Sequence, residues 1–573
     1  MTASHVPAPG AASVGAPAPV TVFVARRILT MNPRQPVATH VAVREGRILA
    51  VGDLARMAAW GPFTLDERFA DQVLMPGLVE GHSHLMAGGL WQFPYVGFHP
   101  RTDPDGRVWP ACRDFDAVVR RLAEASAALD AAGEPDAPLT AWGFDPIFMG
   151  TARMTADHLD RVSTRRPVIV LHASQHLMNV NRVALAKAGI DRDCEIEGVT
   201  RDAAGEPSGE LCEFAAMFPI QRLIGNIFRR AGGSEAGLRM FGRIATLAGV
   251  TTATDLVNDL GDEMHANLAR LTAEPDFPVR VVPAFVSLDG SMSPEAGVEH
   301  VRRRMAANTD KLVCGPVKLV ADGSIQGFTA RLRWPGYVNG APNGIWVMPP
   351  AVLGRLVETY HAAGLQLHIH TNGDEATQVA LDAVEAALLK HPRPDHRHTL
   401  QHCQMADAAQ FRRMARLGMC ANLFANHLFH WGDAHVAQTM GPDRAHRMDA
   451  CATALESGVP LAIHSDAPIT PLAPLFTAWC AVNRISSGGE VLGEGERITV
   501  AQALHAITLG AAWTLHLDDR IGSIEVGKWA DFCVLGEDPT AVDPMRLKDV
   551  PVLGTVLGGR VFEAPREVHG SAA

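Results

Sequence analysis

The spacing of hydrophobic and polar positions differs between the two ends of the chain and its middle. Near the N-terminus, VTVFVARRILTMNP and VATHVAVREGRILAVGD are short, β-branched segments in which apolar and polar residues alternate. Near the C-terminus, GSIEVGKWADFCVLGEDP and VLGTVLGGRVFE show a similar pattern. Alternation of this kind predicts strands. We therefore expect residues 21–74 and 516–565 to form one composite domain, a small β-sandwich.

The middle of the chain alternates between helical and strand patterns. Residues 354–363 have helical apolar spacing and end at Gly364, and residues 365–370 (LQLHIH) form a short apolar run typical of a buried parallel strand. The same order returns in HTLQHCQ, ADAAQFRRMARLG and MCANLFAN. Strands that alternate with helices indicate a parallel sheet. Enough such units fit between residues 75 and 515 to close a (β/α)8 TIM barrel.

Two segments do not fit the alternation. Residues 91–235 are rich in Pro, Gly and Asp, with one helical stretch at 114–132, and we interpret them as an insertion on the first barrel loops that caps the site. Residues 1–20 are biased toward Ala, Pro and Gly and lack the features of a secretory signal, which predicts a disordered leader.

Composition narrows the function classes. The net charge of −11 gives no electrostatic reason to expect nucleic acid as a partner, and no apolar run is long enough to span a membrane. The nine cysteines show no regular spacing, which argues against a disulfide scaffold and favours a cytoplasmic location.

Histidines and one aspartate follow several predicted strands at the end where barrel active sites lie. His82 and His84 stand two residues apart in MPGLVEGHSH, so both rings are expected on one face, where they can share a metal. His370 and His402 each end a strand-like run. The run LAIHSDAPITP leads into His464 and Asp466. For Asp466 the alternative is an N-cap of the following helix, but Pro468 and Pro471 delay that helix.

Lys318 lies inside the apolar run KLVCGPVKLVADG. A buried lysine needs a partner or a changed protonation state. A divalent cation about 4 Å away would repel its positive charge by about 4 kcal/mol per unit charge of the cation, at an effective dielectric near 20. A neutral or carbamylated Lys318 avoids this repulsion, whereas the structural alternative is an ion pair with Asp322.

In combination, the segments PGLVEGHSH, VKLVADGSIQGFTA, HIHTNGDEA, HTLQHCQ, IHSDAP and GSIEVGKWADFCVLGEDP resemble the amidohydrolase superfamily. The similarity is strongest to the YtcJ-like (amidohydrolase 3) family, which includes N-substituted formamide deformylases. It extends from about residue 20 to 565 and implies the same barrel and composite β domain.

The resemblance also implies roles for particular residues. His82, His84 and Asp466 would hold the more buried metal, and a carbamylated Lys318 would bridge to a second metal bound by His370 and His402. The metal is expected to be zinc, one or two per chain. Segments in the insertion resemble family pocket features and supply the candidate substrate contacts Asp145, His176 and Glu213. The segment NHLFHWGD adds His427 and His430 near the seventh strand, where they are expected either to shape the pocket, with His427 as a further candidate contact, or to have a structural role. The chain departs from the pattern at Gln401, where relatives commonly carry Glu.

The implied reaction is hydrolysis of a non-peptide C–N amide bond by metal-activated water, with Asp466 as the catalytic base and then acid. The expected substrate is a small amide: an N-substituted formamide, an N-acyl amine or a cyclic amide. Relatives are often homo-oligomers. Two alternatives stay open, a deaminase of a nitrogen heterocycle and a regulatory relative without catalysis.

Overall fold

The computed structural model describes residues 18–150, 152–286 and 292–564, so most of the predicted leader lies outside the described residues. The strands are, in chain order, β1 (Val20–Leu29), β2 (Val37–Arg44), β3 (Arg47–Gly52), β4 (Phe63–Pro76), β5 (Leu78–Glu80), β6 (Arg101–Thr102), β7 (Val108–Trp109), β8 (Leu139–Phe144), β9 (Val168–His172), β10 (Leu177–Val180), β11 (Val199–Arg201), β12 (Pro207–Cys212), β13 (Val250–Asn258), β14 (Arg280–Phe285), β15 (Val317–Val320), β16 (Leu367–Thr371), β17 (Thr399–His402), β18 (Cys420–Leu423), β19 (Leu461–Ile463), β20 (Phe532–Leu535), β21 (Val552–Leu557) and β22 (Arg560–Glu563).

The α-helices are α1 (Leu54–Met57), α2 (Met86–Gly89), α3 (Phe115–Ala131), α4 (Ala156–Asp160), α5 (Arg182–Ala188), α6 (Glu213–Leu223), α7 (Ile227–Gly233), α8 (Glu235–Leu247), α9 (Asp262–Ala273), α10 (Pro294–Met305), α11 (Pro350–Ala362), α12 (Asp374–Lys390), α13 (Ala408–Leu417), α14 (Asn426–Ala434), α15 (Pro442–Ala445), α16 (Cys451–Glu456), α17 (Pro474–Asn483), α18 (Val500–Ala506) and α19 (Leu509–Trp513). Among the helices described, none has the length and apolar character needed to cross a bilayer.

Eight strands form the parallel sheet that the alternation predicts. Their order is β5-β13-β14-β15-β16-β17-β18-β19, and every neighbouring pair is parallel. Beyond the two end strands, Ser83 and Ala467 form a parallel bridge, and the Asp466 amide donates to the His82 carbonyl over 3.1 Å. These bonds join the first strand to the eighth, so the barrel prediction is confirmed.

Both chain ends contribute to a second sheet. Its seven strands lie in the order β22-β21-β20-β4-β1-β2-β3, with β20 antiparallel to β4. The hydrogen bonds connect all seven into a single sheet, so the expected two-sheet sandwich is not confirmed, although strands from the two termini do pair. The exact domain boundaries stay a prediction.

The segment between the first and second barrel strands, 81–249, has its own sheet. Five strands in the order β11-β12-β10-β9-β8 pack with helices around two apolar clusters. The sequence pattern predicted only one helix here, at 114–132, and the structure has it at 115–131. The strands were missed because they are short and lie between turn-rich loops. Arg101 of this segment donates to the Pro468 and Thr470 carbonyls over 2.7 and 2.9 Å, which fixes it over the end of the eighth strand.

The terminal sheet is attached to the barrel by a buried ion pair. Arg280 of β14 donates through Nε and Nη2 to the two carboxylate oxygens of Asp531, over 2.6 and 3.0 Å. The Arg280 guanidinium also lies 4.5 Å from the ring centre of Trp529, and Arg47 lies 3.4 Å from it. Because both partners of the pair are buried, the loss of one leaves an uncompensated charge.

We expect Asp531→Ala to destabilise the protein by about 3–5 kcal/mol, because it leaves the Arg280 charge buried without a counter-ion. The apparent Tm, measured at one fixed scan rate, should fall by several degrees. Glu358→Ala is the control, since Glu358 pairs with Lys390 at the surface, where water and salt screen the pair and its loss should barely change the Tm. Equal Tm values for the two variants would contradict the attachment role of Asp531.

Candidate metal centre

The predicted metal ligands meet at the carboxyl ends of the barrel strands. His82 and His84 directly follow β5, and Asp466 lies three residues beyond β19. Asp466 Oδ1 is 3.3 Å from His82 Nε2 and 3.1 Å from His84 Nε2. Its other oxygen, Oδ2, is 3.8 Å from His402 Nδ1. One carboxylate therefore faces three imidazoles from two distant parts of the chain: His82 and His84 after the first barrel strand, and His402 at the end of the sixth.

Asp466 is not a helix cap. The next helix, α17, begins at Pro474 with Ala473 as its N-cap, so the alternative interpretation of Asp466 is wrong. The backbone of Asp466 has φ 52°, and His402 has φ 68°. Non-glycine residues rarely adopt this left-handed conformation, and such strain is concentrated at functional sites. The chain thus bends sharply where it presents these two side chains.

Two sets of side chains are arranged closely enough to bind a metal. The first is His82, His84 and Asp466, and the second is His82, His402 and His464; within each set the ligand atoms lie within 4.8 Å of one another. Imidazole nitrogen and carboxylate oxygen are the donors that zinc and similar divalent metals prefer. The donor set present therefore fits a divalent metal.

Four imidazoles of the centre are held neutral. Burial is the main reason that the pKa values of His82, His370, His402 and His464 lie well below the ordinary value, and neighbouring positive groups lower them further. A neutral imidazole keeps a lone pair on one ring nitrogen, which is the form that binds a metal.

His370 completes the row of histidines on neighbouring strands. Its ring centre lies 4.5 Å from that of His402, and its Nε2 is 3.1 Å from the Gly323 carbonyl and 3.7 Å from Asp322 Oδ1. Asp322 itself accepts hydrogen bonds from the backbone amides of Asn372, Gly373 and Arg331. It therefore braces the loops after β15 and β16.

Lys318 lies on β15 with 2% of its surface exposed. Its Nζ has no hydrogen-bond partner among the described residues, so the alternative ion pair with Asp322 is not formed. Burial lowers the pKa of Lys318 to about 7, and the negative charge of Asp466 opposes this shift. The side chain is thus an uncompensated amine inside the barrel, which satisfies the condition for a neutral or carbamylated lysine.

Three of the four predicted substrate residues flank this centre. His176 Nδ1 is 2.9 Å from Glu213 Oε2, and the His176 ring lies 6.1 Å from that of His370. Burial lowers the pKa of His176, but the negative charge of Glu213 outweighs it and the net shift is upward. His427 lies on the other side, with its ring 6.4 Å from that of His402 and its Nδ1 3.4 Å from Asp449.

Asp145 is placed differently from the other three. Its Oδ2 accepts from Trp431 Nε1 over 2.8 Å, and it lines a cavity of about 30 Å³ with His99, Arg101 and His430. This contact joins the inserted segment to helix α14, which follows β18. The contacts of Asp145 therefore indicate a bracing role at the edge of the site.

Sequence reasoning missed several buried polar residues that support the centre. Glu80 accepts from the Ser465 amide and hydroxyl over 3.0 and 2.9 Å, and burial raises its pKa to about 8. In the sequence, Gln401 stands out only as a departure from the family pattern, and the pattern assigns no role to His464 or Asn422. One signal could have identified such residues: a polar side chain inside an otherwise apolar strand. An unpaired polar group buried there costs free energy, so it is expected to have a hydrogen-bond partner.

Comparison with known proteins agrees with this arrangement. The chain is 28% identical over 550 residues to Protein LONG AFTER FAR-RED 3 of Arabidopsis thaliana, covering 93% of this chain and 90% of that protein. It is 27% identical over 557 residues to the putative amidohydrolase YtcJ of Bacillus subtilis, covering 93% and 97%. It is 25% identical over 566 residues to an N-substituted formamide deformylase of Arthrobacter pascens, covering 94% and 97%.

A solved structure shares the fold. An uncharacterized metal-dependent hydrolase from Pyrococcus horikoshii superposes with a TM-score of 0.67 at 18% identity, covering 92% of this chain and 99% of that one. The profile of the amidohydrolase family matches residues 70–562, which include every barrel strand and all six predicted metal ligands. This chain belongs to the amidohydrolase family, within the superfamily of metal-dependent hydrolases.

Proposed function

We propose that this protein hydrolyses a non-peptide C–N amide bond in a small molecule: an N-substituted formamide, an N-acyl amine or a cyclic amide. The observation that carries the proposal is Asp466, whose two oxygens lie 3.1–3.8 Å from nitrogens of three imidazoles. A carboxylate in this position can both contribute to a metal site and exchange a proton with a reacting water. The similarity to the formamide deformylase supports the choice of substrate class.

The residues that would hold the metal are those assembled at the strand ends. His82, His84 and Asp466 form one side of the site, and His370 and His402 with Lys318 form the other. A divalent metal bound there would polarise the substrate carbonyl and lower the pKa of water to about 7. In this proposal the metal is zinc.

Asp466 is the proposed proton carrier. Oδ2 lies 3.8 Å from His402 Nδ1, beyond hydrogen-bond distance, whereas Oδ1 lies 3.3 and 3.1 Å from His82 and His84, so Oδ2 is the less engaged oxygen. As general base, Asp466 would accept a proton from the attacking water and then deliver it to the leaving nitrogen, which makes the amine a better leaving group.

The flanking histidines are the proposed substrate contacts. His176 has a raised pKa because of Glu213, so it can donate a hydrogen bond to a substrate oxygen beside His370. Glu213 Oε1 has no hydrogen-bond partner among the described residues, and the Glu213 backbone has φ 64°. A buried carboxylate oxygen without a partner, on a strained residue, is suited to accept from a substrate N–H. His427 would line the opposite wall.

The proposal is tested by incubating zinc-loaded protein with a panel of N-substituted formamides, N-acyl amines and cyclic amides while amine, acid and ammonia release are followed. We expect one of the three substrate classes to be hydrolysed. Formamides and N-acyl amines would release an amine, and cyclic amides would open their ring. Chelation of the metal should abolish turnover, and added zinc should restore it. Ammonia release alone would replace this proposal with a deaminase. The absence of turnover across the panel, with metal bound, would contradict the amide assignment.

Asp466→Asn should lower kcat by at least about 100-fold, because an amide cannot accept and return the proton. Steady-state rates on the best substrate of the panel provide the measurement, with bound zinc determined in the same samples. Asp382→Asn is the matched control, since Asp382 is an exposed carboxylate on α12. Near-normal turnover of Asp466→Asn with zinc bound would show that the proton travels by another route.

Lys318 is proposed to carry a carbamate. We expect protein equilibrated with ¹³C-bicarbonate to show a carbamate carbon resonance that is absent from Lys318→Gln. Elemental analysis should then give two metals per wild-type chain and one per Lys318→Gln chain, because glutamine cannot carry the carbamate that would help to hold a second metal. One metal per wild-type chain, with no labelled carbon, would identify Lys318 as a plain neutral amine.

A further inference from the structure

Two side-chain amides, those of Gln401 and Asn422, contact histidines of the metal centre. Gln401 and Asn422 occupy paired positions on the adjacent strands β17 and β18, and both are fully buried. Asn422 Nδ2 donates to Gln401 Oε1 over 3.0 Å. Each amide also contacts one histidine of the centre: Gln401 Oε1 is 2.8 Å from His82 Nδ1, and Asn422 Oδ1 is 3.1 Å from His464 Nδ1.

The direction of the amide–amide bond decides which ring nitrogens carry protons. Because Gln401 Oε1 accepts from Asn422, it also acts as an acceptor toward His82, whose Nδ1 must therefore carry the proton. Asn422 Oδ1 is an acceptor in the same way, so His464 Nδ1 is protonated. Both histidines consequently have their lone pair on Nε2, the ring nitrogen that does not contact the amides.

The same pair is anchored on its far side. Gln401 Nε2 donates to His368 Nδ1 over 2.7 Å, so neither end of the Gln401 amide is free to turn without breaking a bond. His82 and His464 are also stacked, with ring centres 4.6 Å apart and planes inclined by 15°. The two rings are thus held side by side with their Nε2 atoms directed to one side.

The spacing of the donor atoms matches that of ligands on one metal. His464 Nε2 lies 3.1 Å from His402 Nδ1, and the ligand atoms of His82, His402 and His464 all lie within 4.8 Å of one another. Two donors about 2.0–2.1 Å from a tetrahedral zinc are separated by about 3.3 Å. In this tautomer His464 Nε2 is an acceptor: it can accept a hydrogen bond from a protonated His402 Nδ1 or, when both nitrogens are unprotonated, the two lone pairs can bind one cation.

We infer that His464 is a further metal ligand, acting with His82 and His402, and that Gln401 and Asn422 are the positioning residues that fix the tautomers of His82 and His464. This inference deepens the proposed function and rests on it for the presence of the metal. The centre would then hold its metal through an additional neutral imidazole, with a neutral amide rather than a carboxylate behind His82. Neutral support of this kind leaves more positive charge on the metal.

The test measures metal binding directly. Metal-free protein is titrated with Co²⁺ against a competing chromophoric chelator, and the visible spectrum of the bound Co²⁺ is recorded. We expect His464→Ala to weaken Co²⁺ binding at least 100-fold and to change the spectrum, because a nitrogen donor is lost. Asn422→Leu should weaken it about 10–100-fold, the usual effect of removing a residue that orients a ligand.

His398→Ala is the matched control. His398 is a fully buried histidine that contacts His361 over 2.8 Å in another cluster, so its loss should lower the Tm and leave Co²⁺ affinity and spectrum unchanged. If His464→Ala does not fold, His464→Gln replaces it, with the same fall in affinity and altered spectrum expected. Wild-type affinity and spectrum in the folded His464 variant would make His464 a packing residue and overturn the inference.

The outcomes separate this inference from the proposed function. If the wild-type protein binds Co²⁺ through His464 but hydrolyses no amide in the panel, the metal assignment stands and the reaction is wrong. If the wild-type protein binds no Co²⁺, both are overturned. Active wild-type protein with an unaffected His464 variant would leave the reaction standing and remove His464 from the centre.

Discussion

The barrel contains ionisable groups that burial keeps away from water, and the rest of the site is arranged around that constraint. An isolated charge in such surroundings is costly, so each group must lose its charge, pair with another or bind a cation. Four histidines, His82, His370, His402 and His464, lose theirs, as their lowered pKa values indicate. Burial also lowers the pKa of Lys318 to about 7, so this lysine is close to losing its charge at neutral pH. What remains is a set of lone pairs facing one carboxylate, Asp466.

The supporting residues follow from the same constraint. The buried polar atoms next to the histidines need hydrogen-bond partners, and these are mainly side-chain amides and backbone groups. Gln401 and Asn422 satisfy one another and two ring nitrogens, while Asp322 is satisfied by three backbone amides. Each of these bonds also fixes an orientation. The centre is therefore prepared before any metal arrives, and binding does not have to order several side chains at once.

The remainder of the chain covers and closes this centre. The inserted segment reaches over the eighth strand through Arg101 and contacts helix α14 through Asp145. It also contributes His176 and Glu213, so one wall of the site comes from outside the barrel. The terminal sheet is anchored elsewhere, at Arg280 and Asp531. A substrate choice made in the insertion can thus differ between relatives that share the same metal-binding strands.

Much of this was visible in the sequence, because local patterns report local structure. Period-2 and helical spacing located the terminal strands and the barrel units, and the position of His82, His84, His370, His402 and Asp466 at strand ends predicted where they would meet. The barrel and the family are confirmed. The strands of the insertion escaped notice because they are short, and their pairing joins residues far apart in the chain.

The tertiary structure alone decided which polar groups share an environment. Lys318 and Asp322 are near neighbours in sequence, yet they do not pair, because backbone amides take the carboxylate and the lysine points into the barrel. Gln401 and Asn422 belong to different strands, and only the register of β17 against β18 makes them partners. The sequence by itself determined the residue types and the elements that carry them. Hydrogen-bond direction and burial, which depend on distant segments, determined the protonation state and the orientation of each donor.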